Sequence, residues 1–150
     1  MRPGTLAEVA RRSASDTEWE HHLLEFLDEF YARDGDRTRQ AIMIAEEPEI
    51  LDDSRTDAFL GGVGEHLARR WRLSMPDWVR ADGRHLSEAW FVPDRPGLRG
   101  YLIAVSPVAF RNRLIFTGPD PLQRARFPYR RGVVEFPGAY PASRSRAGEG

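Results

Sequence analysis

The stretch DTEWEHHLLEFLDEFYA, residues 16–32, carries the clearest structural signal in the chain. Trp19, Leu23, Phe26, Leu27 and Phe30 recur at three- and four-residue steps, while Glu18, Glu20, Glu25, Asp28 and Glu29 fill the other side. That is the period of an α-helix with one buried stripe. Ser15 or Asp16 is placed to cap its start, and the acidic residues of its first turn suit the positive end of the helix dipole. Ala32-Arg33-Asp34-Gly35-Asp36 ends it.

The same period extends outward on both sides. Before it, TLAEVARR (residues 5–12) predicts a short helix with Leu6 and Val9 on one side. After it, a helix from about Arg37 to Glu47 carries Ile42, Met43 and Ile44 and stops before Pro48, because the residue preceding a proline is pushed out of the helical region. Asp53 or Ser54 then caps a third long helix to about Arg72, with Phe59, Leu60, Val63, Leu67 and Trp71 at helical spacing. MPDWVRADGRHLSEAWFVPDRPG (residues 75–97) is rich in aromatics, Pro and Gly and predicts an ordered, irregular segment. Pro96 opens a helix through Leu98, Tyr101, Leu102 and Val105. Ser106-Pro107 reads as an N-cap followed by proline at the first helical position, starting a helix through Phe110. Leu114-Ile115-Phe116 is too short a run to predict a strand. The expected fold is therefore all-α, an irregular bundle with aromatic-rich loops. It forms a single helical domain over 1–135, with residues 1–15 a loosely attached N-terminal helix and 136–150 a disordered tail.

Composition narrows the function classes. A chain of 150 residues is long enough to bury a core of its own. It has no cysteine, so disulfides, thiolate metal sites and cysteine nucleophiles are excluded. All 22 basic residues are arginine, as a GC-rich coding sequence favours, which removes Schiff-base, P-loop and general-base lysines. No apolar run approaches the ~18 residues of a membrane span, and MRPGTLAEVARRS lacks the apolar centre of a secretory signal. A cytoplasmic protein without membrane attachment is expected. Charge is uneven: residues 1–66 hold 7 arginines and 16 acidic residues, residues 67–150 hold 15 and 7. Such a division implies internal electrostatic packing, head-to-tail pairing as a homodimer, or a basic face for an anionic partner.

Catalytic and metal motifs occur only as fragments. Glu18-Trp19-Glu20-His21 is an E-x-x-H unit, but a di-iron site needs a second copy and further carboxylates. His21 and His22 are adjacent and point about 100° apart on a helix, so one metal does not suit both. Gly61-Gly62-Val63-Gly64 follows no predicted strand, and small residues that admit a close neighbour explain it better than a phosphate loop. Ser106 lacks the glycine-flanked setting of a nucleophile elbow, and capping accounts for it. His66 and His85 have no motif around them. No catalytic, cofactor or metal residues are assigned, no cofactor is expected, and the reading leans away from an enzyme.

Two binding readings remain. Tryptophan and arginine dominate the energetic centres of protein interfaces, which makes Arg69, Arg70, Arg72, Trp78 and Arg80 candidates for a protein partner. Trp71 and Trp90 read as core, and Trp78 stands between core and surface. Alternatively, Arg111, Arg113, Arg124, Arg126, Arg130 and Arg131, interleaved with Phe110, Phe116, Phe127 and Tyr129, suit a nucleic-acid-binding regulator in which guanidiniums meet phosphates and rings stack on bases.

Three longer strings carry a resemblance: EFLDEFYARDGDRTRQAIMIAEEPEIL (25–51), DAFLGGVGEHLARRWRLSMPDWV (57–79) and AWFVPDRPGLRGYLIAVSPVAFRNRLIF (89–116). Together they resemble a group of small helical proteins of high-GC bacteria that occur alone or behind a helix-turn-helix domain, often in toxin–antitoxin-like neighbourhoods. TLAEVARRS itself resembles the opening of a helix-turn-helix regulator, although the acidic helix that follows leaves no room for a recognition helix. The group carries no activity to transfer. The resemblance implies a non-enzymatic, antitoxin-like regulatory protein that binds a protein partner.

Overall fold

The computed structural model describes residues 1–125, so Arg126, Arg130, Arg131 and the expected tail at 136–150 lie outside the described residues. Six α-helices follow in order: α1 (Leu6–Asp16), α2 (Trp19–Ala32), α3 (Arg37–Ala45), α4 (Ser54–Arg70), α5 (Arg99–Val105) and α6 (Val108–Arg111). Two-residue strands β1 (Trp90–Phe91) and β2 (Ile115–Phe116) pair in parallel, Trp90 opposite Ile115 and Phe91 opposite Phe116. The fold is all-α, as the periodicity predicts. No helix among the described residues is long and apolar enough to cross a membrane.

Local chemistry sets the helix ends. Thr5 caps α1 by accepting from Glu8 N–H at 3.0 Å, and the Glu8 carboxylate accepts from Gly4 N–H at 2.9 Å, so two otherwise unpaired donors are satisfied together. Asp36 caps α3 and Asp53 caps α4 through the N–H groups of Arg39 and Thr56. At α2 the expected cap is corrected. α1 runs on through Ser15 and Asp16, and the chain reverses at Thr17 with φ 60°. Asp16 sits outside α2, where it accepts from Glu18 N–H at 3.0 Å and meets His22 Nε2 at 2.7 Å. Nor is α1 loosely attached, because Leu6, Val9 and Ala10 are fully buried in the common core.

α4 is the centre of the molecule. Every residue from Thr56 to Ala68 is buried, including Asp57, Glu65 and His66. The expected single stripe understates this, since α4 is wrapped on all sides: α6, α3 and the turns at Asp77–Arg80 and Asp82–Arg84 all pack on it. The glycines make that wrapping possible. A Cβ on Gly62 would fall 2.7 Å from the Phe110 ring, and one on Gly64 would fall 2.8 Å from Trp78. Gly→Ala in an exposed helix stabilises by about 1 kcal/mol. At Gly62 overpacking opposes this, and Gly62→Ala is expected to lose a net ~1–2 kcal/mol in denaturant unfolding; a net gain would show that Phe110 moves aside freely.

Ser106 also departs from expectation. It closes α5 instead of capping α6. Its buried Oγ donates toward Leu102 O and Thr117 O and accepts from Thr117 N–H at 2.8 Å, tying the end of α5 to the residue that follows β2. Ile115–Phe116, not predicted as a strand, acquires one because Trp90 N–H and Val92 N–H donate to Leu114 O and Phe116 O. This pairing depends on contacts far apart in sequence.

Candidate functional site

The charged residues brought inside are consumed by the fold. Arg113 is 1% exposed. Its Nη1 donates to Glu65 Oε1 at 2.6 Å and to Ala109 O at 2.7 Å, and its Nη2 donates to Val79 O. Arg84, fully buried, donates to Asp57 O at 3.3 Å and to Pro48 O and lies over the Trp78 ring. Burial depresses both guanidiniums below their ordinary range, and Glu65 and Asp57 respectively counter it. Burial also raises the Glu65 carboxyl, but hydrogen bonds from Arg113 and Arg69 outweigh it and hold the group below its usual value. At the end of the described chain, Arg124 makes a two-pronged pair with Asp28 at 2.9 Å. Each of these pairs joins the acidic half of the sequence to the basic half. The uneven charge is thus used for internal packing.

The partner-binding candidates are not all on the surface. Trp78 is buried, its Nε1 donating to Ile44 O at 3.1 Å and its ring filling the space over Gly64. It is a core residue, which corrects its place among the candidates. Arg69 is exposed and bonds Glu65 at 2.8 Å; Arg70 lies over Trp71; Arg72 and Arg80 are exposed. Trp71 is half-buried, stacked on Tyr31, with its Nε1 donating to Asp34 at 3.0 Å. The nucleic-acid candidates fare similarly. Arg113 has no face toward solvent, which removes it from any phosphate contact, and Arg124 is held by Asp28. Arg111 is exposed and donates to Ser106 O at 2.7 Å. His21 and His22 turn to separate partners, Glu25 and Asp16. Among the described residues no three His, Asp or Glu side chains gather as a metal site.

What the structure does assemble is an apolar groove of about 630 Å³ between α2 and the Thr117–Gln123 segment. Trp19, Leu23, Leu24 and Leu27 form one wall, and Phe59 and Trp90 lie between the walls. The rings of Trp19 and Phe59 are 5.3 Å apart, and those of Phe59 and Trp90 are 6.1 Å apart. The second wall is fastened to α2 at its far end: Tyr31 Oη donates to Leu122 O at 2.6 Å, and Arg124 is pinned by Asp28. A concave site of this size, mostly apolar with a few polar groups at the edge, is the usual form of a binding pocket. Leu24, 38% exposed, is a groove residue that the sequence reading missed. Its signal was an extra leucine off the buried stripe of α2.

The chain matches no family model, no curated protein and no solved structure.

Proposed function

We propose that this chain is a non-enzymatic interaction protein, antitoxin-like in the sense of the sequence resemblance, that captures an apolar segment of a protein partner in the groove between α2 and Thr117–Gln123. The observation that carries this reading is the groove itself. It leaves Leu24 exposed beside half-buried Trp19 and Trp90, on a helix whose Leu23, Phe26, Leu27, Phe30 and Tyr31 are buried. Aromatic side chains at the centre of a concave apolar surface are the anchors on which protein interfaces concentrate their energy.

Leu24→Arg tests it. Leucine and arginine have nearly equal helix propensity, and this position contributes little to the core, so the variant is expected to fold with stability within about 0.5 kcal/mol of the parent. Tagged full-length protein, expressed where the gene is native, should retain one stoichiometric protein partner through nuclease treatment. Leu24→Arg should lower the affinity for that partner at least ~30-fold, the effect of losing one interface anchor. Undiminished capture by the variant would place the interface elsewhere, and capture lost on nuclease treatment would return the question to nucleic acid.

A further inference from the structure

The groove is apolar in its walls but not neutral at its edge. The charged side chains among its lining residues are Glu20, on the α2 wall, and Asp120, on the opposite wall. Both residues are exposed. Neither carboxylate belongs to an ion pair among the described residues, in contrast to Asp28, Glu29 and Glu65, whose carboxylates meet arginines. The nearby guanidinium of Arg55 is directed to the Trp90 ring, 5.0 Å from its centroid. The apolar trough is thus lined by two carboxylates, one from α2 and one from the Thr117–Gln123 segment, with no ion-pair partner among the described residues.

From this we infer that the occupant is an apolar segment of a partner protein that carries arginine or lysine beside its apolar residues, so that cations meet Glu20 and Asp120 while aliphatic or aromatic side chains enter between Trp19, Leu24 and Trp90. The inference rests on the proposed function and specifies its partner. The α2 wall from Trp19 to Leu27 is about 12 Å long, which admits roughly two turns of an amphipathic helix. Exposed charge pairs individually add little, but like charges on both walls select against an acidic segment.

The test uses full-length protein and labelled synthetic peptides about three helical turns long, read by fluorescence anisotropy at about physiological salt. One carries leucine and lysine at amphipathic spacing, a second has glutamate for every lysine, and a third keeps lysine but has serine for leucine. The leucine–lysine peptide is expected to bind at least ~10-fold more tightly than the other two. Glu20→Arg with Asp120→Arg should erase or reverse the preference over the glutamate peptide, and Leu24→Arg should weaken binding. Equal binding of the lysine and glutamate peptides, both lost in Leu24→Arg, would overturn the inference and leave the groove reading standing. Lysine-peptide binding untouched by Leu24→Arg would overturn both, as would failure of every peptide to bind either the parent or a variant with Arg130→Glu and Arg131→Glu. Binding seen only in a variant with Arg130→Glu and Arg131→Glu would overturn it in favour of the chain's own arginine- and aromatic-bearing sequence after Ala125.

Discussion

Glu65→Ala is expected to destabilise the fold by about 3–5 kcal/mol, which approaches the whole stability of many domains of this size. Glu65 Oε1 accepts from Arg113 Nη1 at 2.6 Å, and Oε2 accepts from Arg69 Nε at 2.8 Å. Arg113 is 1% exposed, so removing the carboxylate leaves a guanidinium in the interior with two backbone carbonyls and no counter-charge. Water cannot replace the lost partner without opening the packing of α6 on α4. The converse change is milder. Arg113→Met removes the buried cation and fills most of its volume, and Glu65 keeps Arg69, which lies nearer to solvent. A loss of about half that of Glu65→Ala is expected, and the double variant Glu65→Leu, Arg113→Met should recover part of it, since replacing both partners abolishes the unpaired charge. Denaturant unfolding followed by tryptophan fluorescence measures all three. A cost below about 1 kcal/mol for Glu65→Ala would mean that Arg113 finds solvent by a route the packing does not show.

The contrast between Arg111 and Arg113 shows what the sequence could not reveal. They are two residues apart, in the same basic stretch, and nothing in the local pattern separates them. One is exposed and the other fully enclosed, because α6 packs against α4 beside Gly61, where a Cβ would come within 2.9 Å of Arg113 Nε. The helices themselves were legible wherever a stripe was repeated, as in α2, or a capping residue preceded one, as at Asp53 or Ser54, of which Asp53 is the cap. The glycines of α4 were legible as sites of close approach, which Phe110 and Trp78 fulfil. The roles of Trp78 and Ser106 were not, because a buried tryptophan and an interfacial one share the same sequence setting, and a serine before proline reads locally as an N-cap whatever precedes it. The groove is less visible still. Its walls come from α2, α4, β1 and the segment after β2, and only Leu24, an apolar residue off its helix's buried stripe, marks it locally.

Acidification from pH 7 to 5 is expected to lower the stability by about 2 kcal/mol, and His66 is the source. The side chain is buried on α4, and its ring lies 5.8 Å from that of Phe110. Burial, reinforced by the nearby Arg70 cation and only partly offset by Glu65, pushes its pKa down from 6.5 to about 3. The unfolded chain therefore takes up a proton near pH 6.5 while the folded protein refuses it until about pH 3. The stabilising difference is fully present above the unfolded value. It is lost progressively as pH falls through that window, at up to about 1.4 kcal/mol per pH unit for one site. Glu65 acts in the same direction but lower: its depressed carboxyl protects the fold above the ordinary value of 4.5 and fails below it. The interval between pH 6.5 and 4.5 therefore isolates the histidine. His66→Gln should start from a lower stability at pH 7, because the ring's packing is lost, yet show a shallower decline toward pH 5. The imidazole carbon resonances of His66 in the parent should stay at their neutral positions through the same range. A parent and variant that decline in parallel, or a His66 resonance that titrates near pH 6.5, would mean that the α4 interior admits water and a charge at this point. That outcome would also lower the expected cost of Glu65→Ala, since both effects depend on the same dry contact between α4 and α6.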